Sequence, residues 1–435
     1  MYSYITVLSN WMLGFDKYNR IYSKKNLQES SFPDKFYLLK QDEINIGLDK
    51  AHKLIEKINK KHNLIYSENR VIKINTLPLT KVHKNTKNGK GWFINENSIS
   101  VESLEILNGN VWESISIENL TALSYKISFD LKRFEELVPR TLSFLPIASA
   151  CQAKCKFCFS ESSISVEQEK RISDFVDLEK WCKKAQEAGA QRFVITGGGD
   201  PGVLRYEEIL NILNISSLYF KKNVMITNGI FLSRLKENEI VEKMKELKSY
   251  GLSVLSLSYH HFNPEINKNI MGVDTKIEKI LTAIQSLNKK DIPEIRLVCV
   301  LQKGGIENKE TLVNYLNFAA KNNINQICLK ELYVASTYES LYSKSQENDY
   351  CVKNQVFLSD IQKAVLSLGA EKVSELPWGS PVYKIIIDGK EILVSNYTEP
   401  STGWERKNGI ARSWNYMADK KCYASLEDVN SIIKL

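Results

Sequence analysis

The sequence predicts an α/β protein whose centre is a partial parallel barrel, (β/α)6, spanning residues 141–335. Three observations predict it. Six apolar runs recur along the chain, each near-continuous in hydrophobic residues as strands buried on both faces should be. Amphipathic helical patterns separate them, and the links between strand and helix are short.

The strands are read in order from SFLPIASA (143–150), RFVITGG (192–198), NVMITNG (223–229), SVLSLSYH (253–260), EIRLVCVL (294–301) and QICLKELY (326–333). Helical patterns lie over 177–189, 205–217, 234–249, 274–289 and 307–322. In such barrels the chemistry sits at the C-terminal ends of the strands.

Two further regions flank the barrel. Residues 1–140 read as an N-terminal α+β region. Within it, Ile44, Leu48, Ala51, Ile55 and Ile58 predict a helix over 42–62, and Pro78 with dense Lys, Asn and Gly predicts a loop over 76–91. GWFINENSISVESLEILNG then predicts a short strand, a turn and a helix ending at Gly109. Residues 336–435 read as a C-terminal extension capping the barrel. In it, two apolar runs around Asp388-Gly389 predict a β-hairpin. The following stretch, with Trp404, Arg406, Arg412 and Trp414, has no clear period. Together with Trp378 it reads as an aromatic and basic tail that closes the barrel mouth or packs on it.

Composition excludes several classes. Hydrophobic residues make up 43% and charged residues 25%, enough to bury a core. Twenty Gly and ten Pro in 435 residues exclude a collagenous or low-complexity chain. The net charge of +8 is local: Lys50 to Lys90 holds eleven Lys or Arg against two Glu. That segment reads as a solvated face, or as a surface for an acidic peptide or nucleic acid. No signal peptide or membrane span is apparent, so the expected location is the cytoplasm, where thiols stay reduced.

Of the eight cysteines, Cys151, Cys155 and Cys158 fall within eight residues, directly after the first barrel strand. Three thiolates on one loop can hold three corners of an iron–sulfur cluster and leave a fourth iron open. A zinc site is the alternative, but it usually takes four ligands, and nothing nearby supplies the fourth.

This CxxxCxxC motif, followed by Phe159, resembles the cluster loop of the radical S-adenosylmethionine (radical SAM) superfamily. Thr196-Gly197-Gly198-Gly199-Asp200-Pro201, after the second strand, is similar to that family's Gly-Gly-Glu-Pro turn, with Asp200 where Glu is usual. Thr227-Asn228-Gly229 ends the third strand, and Ser256 and Ser258 lie near the end of the fourth. The resemblance covers roughly 143–333. It implies a [4Fe-4S] cluster on Cys151, Cys155 and Cys158, with the open iron chelating S-adenosylmethionine. It implies cofactor contacts from Gly197, Gly198, Gly199, Asp200, Asn228, Ser256, Ser258 and Arg296. Reductive cleavage of the sulfonium would give a 5′-deoxyadenosyl radical that abstracts hydrogen from a substrate. A reducing partner such as a flavodoxin or ferredoxin is implied as well.

Other candidates come from position. His260 and His261 follow the fourth strand and are candidates for proton transfer or ribose contact, or form a polar loop. Arg296 inside an apolar strand needs an anionic partner, either the methionine carboxylate or Glu331. Glu331 ends the sixth strand and is expected to point into the barrel. Cys422 is a candidate hydrogen-atom donor or an ordinary semi-buried Cys.

The leading functional reading is radical modification of a peptide or natural-product intermediate. GWFINENSISVESLEILNG loosely resembles the strand-then-helix stretch of peptide-recognition domains that accompany peptide-modifying members. Modification of RNA or a nucleotide is the second reading, and a zinc-stabilised, non-catalytic interaction protein is the third.

Overall fold

The computed structural model describes residues 2–7, 13–15, 21–23, 36–38, 70–76, 82–84, 92–94, 101–108, 111–114, 132–162, 171–172, 174–334, 345–400, 405–406, 408–426 and 431–435. These fall into two compact units. The first takes residues 1–133, 335–343 and 401–408; the second takes 134–334, 344–400 and 409–435.

In the first unit, Phe36–Leu38, Tyr2–Val7, Arg70–Thr76, Val101–Asn108 and Val111–Ser114 form one antiparallel sheet in that order. Val101–Asn108 is therefore a strand, not part of the helix expected to end at Gly109. Leu104 and Ile106 stand opposite Ile74 and Ile72. This non-local pairing of apolar residues overrides the local signal. The segment read as a loop contains a further strand, Val82–Lys84, paired antiparallel with Trp92–Ile94. Residues 42–62, Trp404 and most of the basic segment lie outside the described residues.

The second unit carries β1 (Thr141–Leu145), β2 (Arg192–Ile195), β3 (Asn223–Thr227), β4 (Leu252–Ser258), β5 (Glu294–Leu301) and β6 (Gln326–Glu331). All six are parallel and lie side by side in chain order. Helices α1 (Leu178–Glu187), α2 (Tyr206–Ser217), α3 (Glu237–Ser249), α4 (Pro264–Met271), α5 (Ile277–Ile284) and α6 (Lys309–Lys321) connect them. This is an α/β fold with a mostly parallel sheet, consistent with a partial barrel.

Its core lies between sheet and helices. Phe193, Ile195, Met225, Leu255, Leu257, Leu297 and Leu329 meet Ile209, Ile212, Leu213, Met244, Ile280 and Leu316, all in one buried cluster. In α2, Ile209, Ile212 and Leu213 share the buried face at the i, i+3, i+4 spacing. The side chain of Glu208, at the third helical position, accepts the Arg205 amide at 2.8 Å and closes the start of that helix. Helix α4 lies outside the five helical patterns read from the sequence. Asn263 caps it, accepting from the Glu265 amide at 2.9 Å, Pro264 opens it, and Gly272 ends it in the left-handed region at φ 67°.

The C-terminal segments extend the same sheet. Helices α7 (Gln346–Asn354) and α8 (Leu358–Ser367) lead to β7 (Glu371–Glu375), then β8 (Pro381–Ile387) and β9 (Lys390–Tyr397) form the expected hairpin. Asp388 and Gly389 both take positive φ, 49° and 73°, as a two-residue primed turn requires. Strand β9 pairs parallel with β6. At the other edge β10 (Trp414–Met417) pairs parallel with β1, followed by β11 (Cys422–Tyr423) and β12 (Ile432–Ile433). The segment that lacked a period thus contains the strand covering the free edge of β1.

Candidate functional site

The cysteine loop leaves β1 at Pro146 and is gripped from two sides. On one side is the turn after β2. Gly199 and Asp200 donate their amides to the carbonyls of Ile147 and Ala150, each at 3.0 Å. A Cβ on Gly198 would stand 2.0 Å from the Ala148 carbonyl oxygen, and one on Gly199 would stand 1.9 Å from that of Ala150. Only glycine fits, because two backbones are in direct contact. On the other side is α4. The Lys154 amide donates to the Met271 carbonyl at 2.8 Å, and Ala153 packs with Ile270 and Met271. Phe157, within the loop, adds an edge-to-face contact with His260 at 5.1 Å.

The three thiols are held together on this loop. Cys151 is exposed; Cys155 and Cys158 are half-buried. Burial, and then the neighbouring thiols, push Cys155 well above the ordinary thiol range; burial lifts Cys151 to about 11. Such thiols need a cation beside them to become thiolates. No three His, Cys, Asp or Glu side chains among the described residues converge as one metal ion requires. A four-iron cluster does not require that convergence, since each thiolate takes a different iron. Three thiols on one tethered loop, with no fourth ligand converging on them among the described residues, fit such a cluster.

Asp200 and Asn228 tie the loop to β3. Asp200 is 6% exposed. Its Oδ1 accepts from the Gly202 amide at 2.7 Å and the Thr227 hydroxyl at 2.9 Å, and its Oδ2 accepts from the Asn228 amide at 2.7 Å. Both oxygens are engaged inside the protein, so Asp200 clamps the turn after β2 to the end of β3. Burial raises its pKa against those three donors. The Asn228 carboxamide donates toward Cys151 Sγ at 3.6 Å and to Gln152 Oε1 at 3.1 Å. Gln152 in turn donates to the Gly202 carbonyl at 3.3 Å. The sequence did not single out Gln152 or Gly202, because neither carries a motif and both act through tertiary contacts.

The remaining candidates divide. Gly198, Gly199 and Asp200 meet the start of the cysteine loop at Ile147, Ala148 and Ala150, Gly197 directly precedes them, Asn228 reaches Cys151, and half-buried Ser258 ends β4. Ser256 is fully buried two residues earlier, and its hydroxyl accepts from Arg296 Nε at 2.9 Å. Arg296 stands opposite Ser256 on β4 and Gln326 on β6, near the start of β5. Four residues of β6 lie between its partner Gln326 and Glu331, so the expected pair with Glu331 does not form.

Glu331 does not point inward. It has the same parity as Ile327 and Leu329, which face the helices, and it accepts from Gln355 at 3.3 Å. Lys330 occupies the inner face instead. His260 is 3% exposed; its Nδ1 accepts the Val300 amide at 3.1 Å, and burial lowers its pKa to about 3. His261 is equally buried, and its Nδ1 accepts the Asn263 amide at 2.9 Å. Neither ring is an open base at the barrel mouth. Cys422 is fully buried in the helix-side core opposite Tyr416, so it does not face the mouth either.

Of the tail residues, Trp414 lies in that same core, and Arg406 donates to the Lys132 carbonyl at 2.8 Å in the first unit. Arg412 pairs with Glu399, and Trp378 stacks edge-to-face on Tyr397. Among the described residues no helix is long and apolar enough to cross a membrane.

Known proteins match the same region. Residues 145–319 match the Radical SAM superfamily. A probable GTP 3′,8-cyclase of Sulfurisphaera tokodaii is 27% identical over 187 residues, covering 43% of this chain and 54% of that protein. A GTP 3′,8-cyclase of Limosilactobacillus fermentum is 24% identical over 196 residues, covering 45% and 55%. The chain spans about half the length of the curated relatives it matches. A crystal structure of SuiB from Streptococcus suis bound to S-adenosylmethionine aligns at 16% identity and a TM-score of 0.37, covering 84% of this chain and 68% of that one. The radical SAM family uses a [4Fe-4S] cluster and S-adenosylmethionine, and the match sets the zinc-stabilised, non-catalytic reading aside. Residues 145–319 of this chain are a radical SAM domain.

Proposed function

We propose that this chain is a radical SAM enzyme in which Cys151, Cys155 and Cys158 hold a [4Fe-4S] cluster that binds S-adenosylmethionine. The observation that carries the reading is the thiol-bearing loop fixed at the C-terminal ends of β1, β2 and β3. When bound, these cofactors supply a 5′-deoxyadenosyl radical, formed with an electron from a flavodoxin- or ferredoxin-type donor.

The protein's own residues bind and orient. Gly198 and Gly199 present bare backbone beside the loop, where the amino group of the methionine moiety would lie. Asp200 acts as a positioning residue: it fixes Asn228, whose carboxamide is aimed at Cys151. Ser258 is the contact for the ribose. Ser256 and Arg296 sit below that level and belong to the inner wall.

The leading reading from the sequence was a peptide or natural-product intermediate. Its support weakens, because the stretch that resembled a strand-then-helix peptide module contains two strands. Nucleotide modification gains support, since both relatives named above are called GTP 3′,8-cyclases. Incubating the anaerobically purified protein with dithionite, S-adenosylmethionine and either GTP or a candidate peptide tests the two. The substrate that raises 5′-deoxyadenosine production and is converted to a chromatographically distinct product identifies the class.

A further inference from the structure

The inner face of the sheet carries a cluster of cations that outnumbers the carboxylates beside it. Arg192 opens β2, and Lys222 directly precedes β3, its carbonyl accepting from the Phe193 amide at 3.0 Å. Arg296 lies on the same face of β5, and Lys330 on the same face of β6, opposite Tyr397. Arg140 directly precedes β1 and stands 5.8 Å from the Trp378 ring.

Negative charge is short here. Glu399 is bound by Lys330 at 3.0 Å and by Arg412. Glu294 bears on Lys222. No carboxylate lies within ion-pair distance of Arg140, Arg192 or Arg296 among the described residues. Arg140 Nη1 is buried without a hydrogen-bond partner among them.

The cations act on one another. Arg140 and Arg296 add to burial in depressing Arg192, and Arg192 and Arg296 do the same to Lys222. Burial first, then Arg412 and Arg296, bring Lys330 to about 8. Yet these groups are not sealed: 34% of the Lys330 side chain remains exposed, and Arg192 and Arg296 are half-buried. Lys330 and Lys222 have Glu399 and Glu294 beside them, but Arg140, Arg192 and Arg296 have no such partner, and mutually repelling cations short of counter-ions on an accessible wall are a receptor for an anion. Guanidinium forks suit phosphate oxygens in particular.

We infer that Arg140, Arg192, Lys222, Arg296 and Lys330 bind the phosphate groups of a phosphorylated substrate inside the barrel. The inference rests on the proposed enzymatic reading, and it lays the charged end of the substrate along the inner wall, from Arg140, Arg192 and Lys222 at the starts of β1, β2 and β3 toward Lys330 on β6. The reacting end would then reach toward the cysteine loop at the opposite ends.

Calorimetric titration of the full, anaerobically purified chain tests this, with GTP, inorganic tripolyphosphate and guanosine as probes. GTP and tripolyphosphate are expected to bind, and guanosine to give no measurable heat. GTP binding more tightly than tripolyphosphate points to a nucleotide; equal affinity points to another phosphorylated compound. R192Q/R296Q should weaken both phosphate probes at least tenfold, while K245Q, on the outer surface of α3, should bind as wild type does. Without an anion, R192Q/R296Q should melt close to wild type, since relief of repulsion offsets the lost Arg296–Ser256 hydrogen bond, but tripolyphosphate should no longer raise its melting temperature. Wild type binding neither phosphate probe, guanosine matching GTP, or unchanged affinity in R192Q/R296Q would overturn the inference. Failure of the cluster reading would show separately, as wild-type protein without iron.

Discussion

Asp200 and Asn228 are joined across two strands: the Asn228 amide donates to Asp200 Oδ2 at 2.7 Å, and the Asn228 carboxamide points at Cys151 Sγ. This connects the glycine turn after β2, the end of β3 and the first thiol in one chain of contacts. The shorter Asp side chain, where the resembling family has Glu, suits this clamp because both oxygens meet buried donors.

Asp200→Glu should therefore impair the protein rather than improve it. The extra methylene has no room at a 6% exposed site, and overpacking costs about 1–3 kcal/mol. Asp200→Ala leaves three donors unsatisfied and should cost more, at about 1–3 kcal/mol for each that water cannot reach. Urea melts check both. A Glu variant as stable as wild type would refute the clamp.

Gly198→Ala should disrupt the loop. Its Cβ would meet the Ala148 carbonyl oxygen at 2.0 Å, so the backbone must shift. The expected result is reduced iron loading together with a lowered melting temperature. Wild-type values of both would show that the close approach does not matter.

His260 predicts an acid limb of stability. Its folded pKa, about 3, lies below the usual value of about 6.5, so only the unfolded chain takes up this proton between those pH values. Stability from this group is full above about pH 6.5 and falls as pH drops toward 3, by at most about 1.4 kcal/mol per unit. Denaturant midpoints at a series of pH values, for wild type and His260→Asn, measure it. The variant should show a shallower acid decline.

Cys422→Ala should leave 5′-deoxyadenosine formation intact and cost stability only, because Cys422 is a core residue. A full loss of substrate turnover with normal folding would return it to the chemistry.

Much of this was legible in the sequence. The six barrel strands stood out because apolar runs buried on both faces leave a strong local signal, and Asp388-Gly389 announced its hairpin for the same kind of reason. Val101–Asn108 differs from the expected helix because its strand pairs with Ile72–Thr76, distant in sequence. Glu331 was misplaced because inward and outward faces depend on which neighbours cover the strand, a tertiary fact. The cationic wall was hidden because its members come one or two per strand and meet only when the sheet forms. The cysteine loop needed no such assembly, since its three thiols share eight residues.

The central claim is the cluster on Cys151, Cys155 and Cys158. Iron analysis of anaerobically purified wild type, Cys155→Ala and the core control Cys182→Ala tests it most directly. The account predicts about four irons per chain in wild type and Cys182→Ala and almost none in Cys155→Ala. Equal iron in Cys155→Ala and wild type, or a colourless wild type holding stoichiometric zinc, would contradict it.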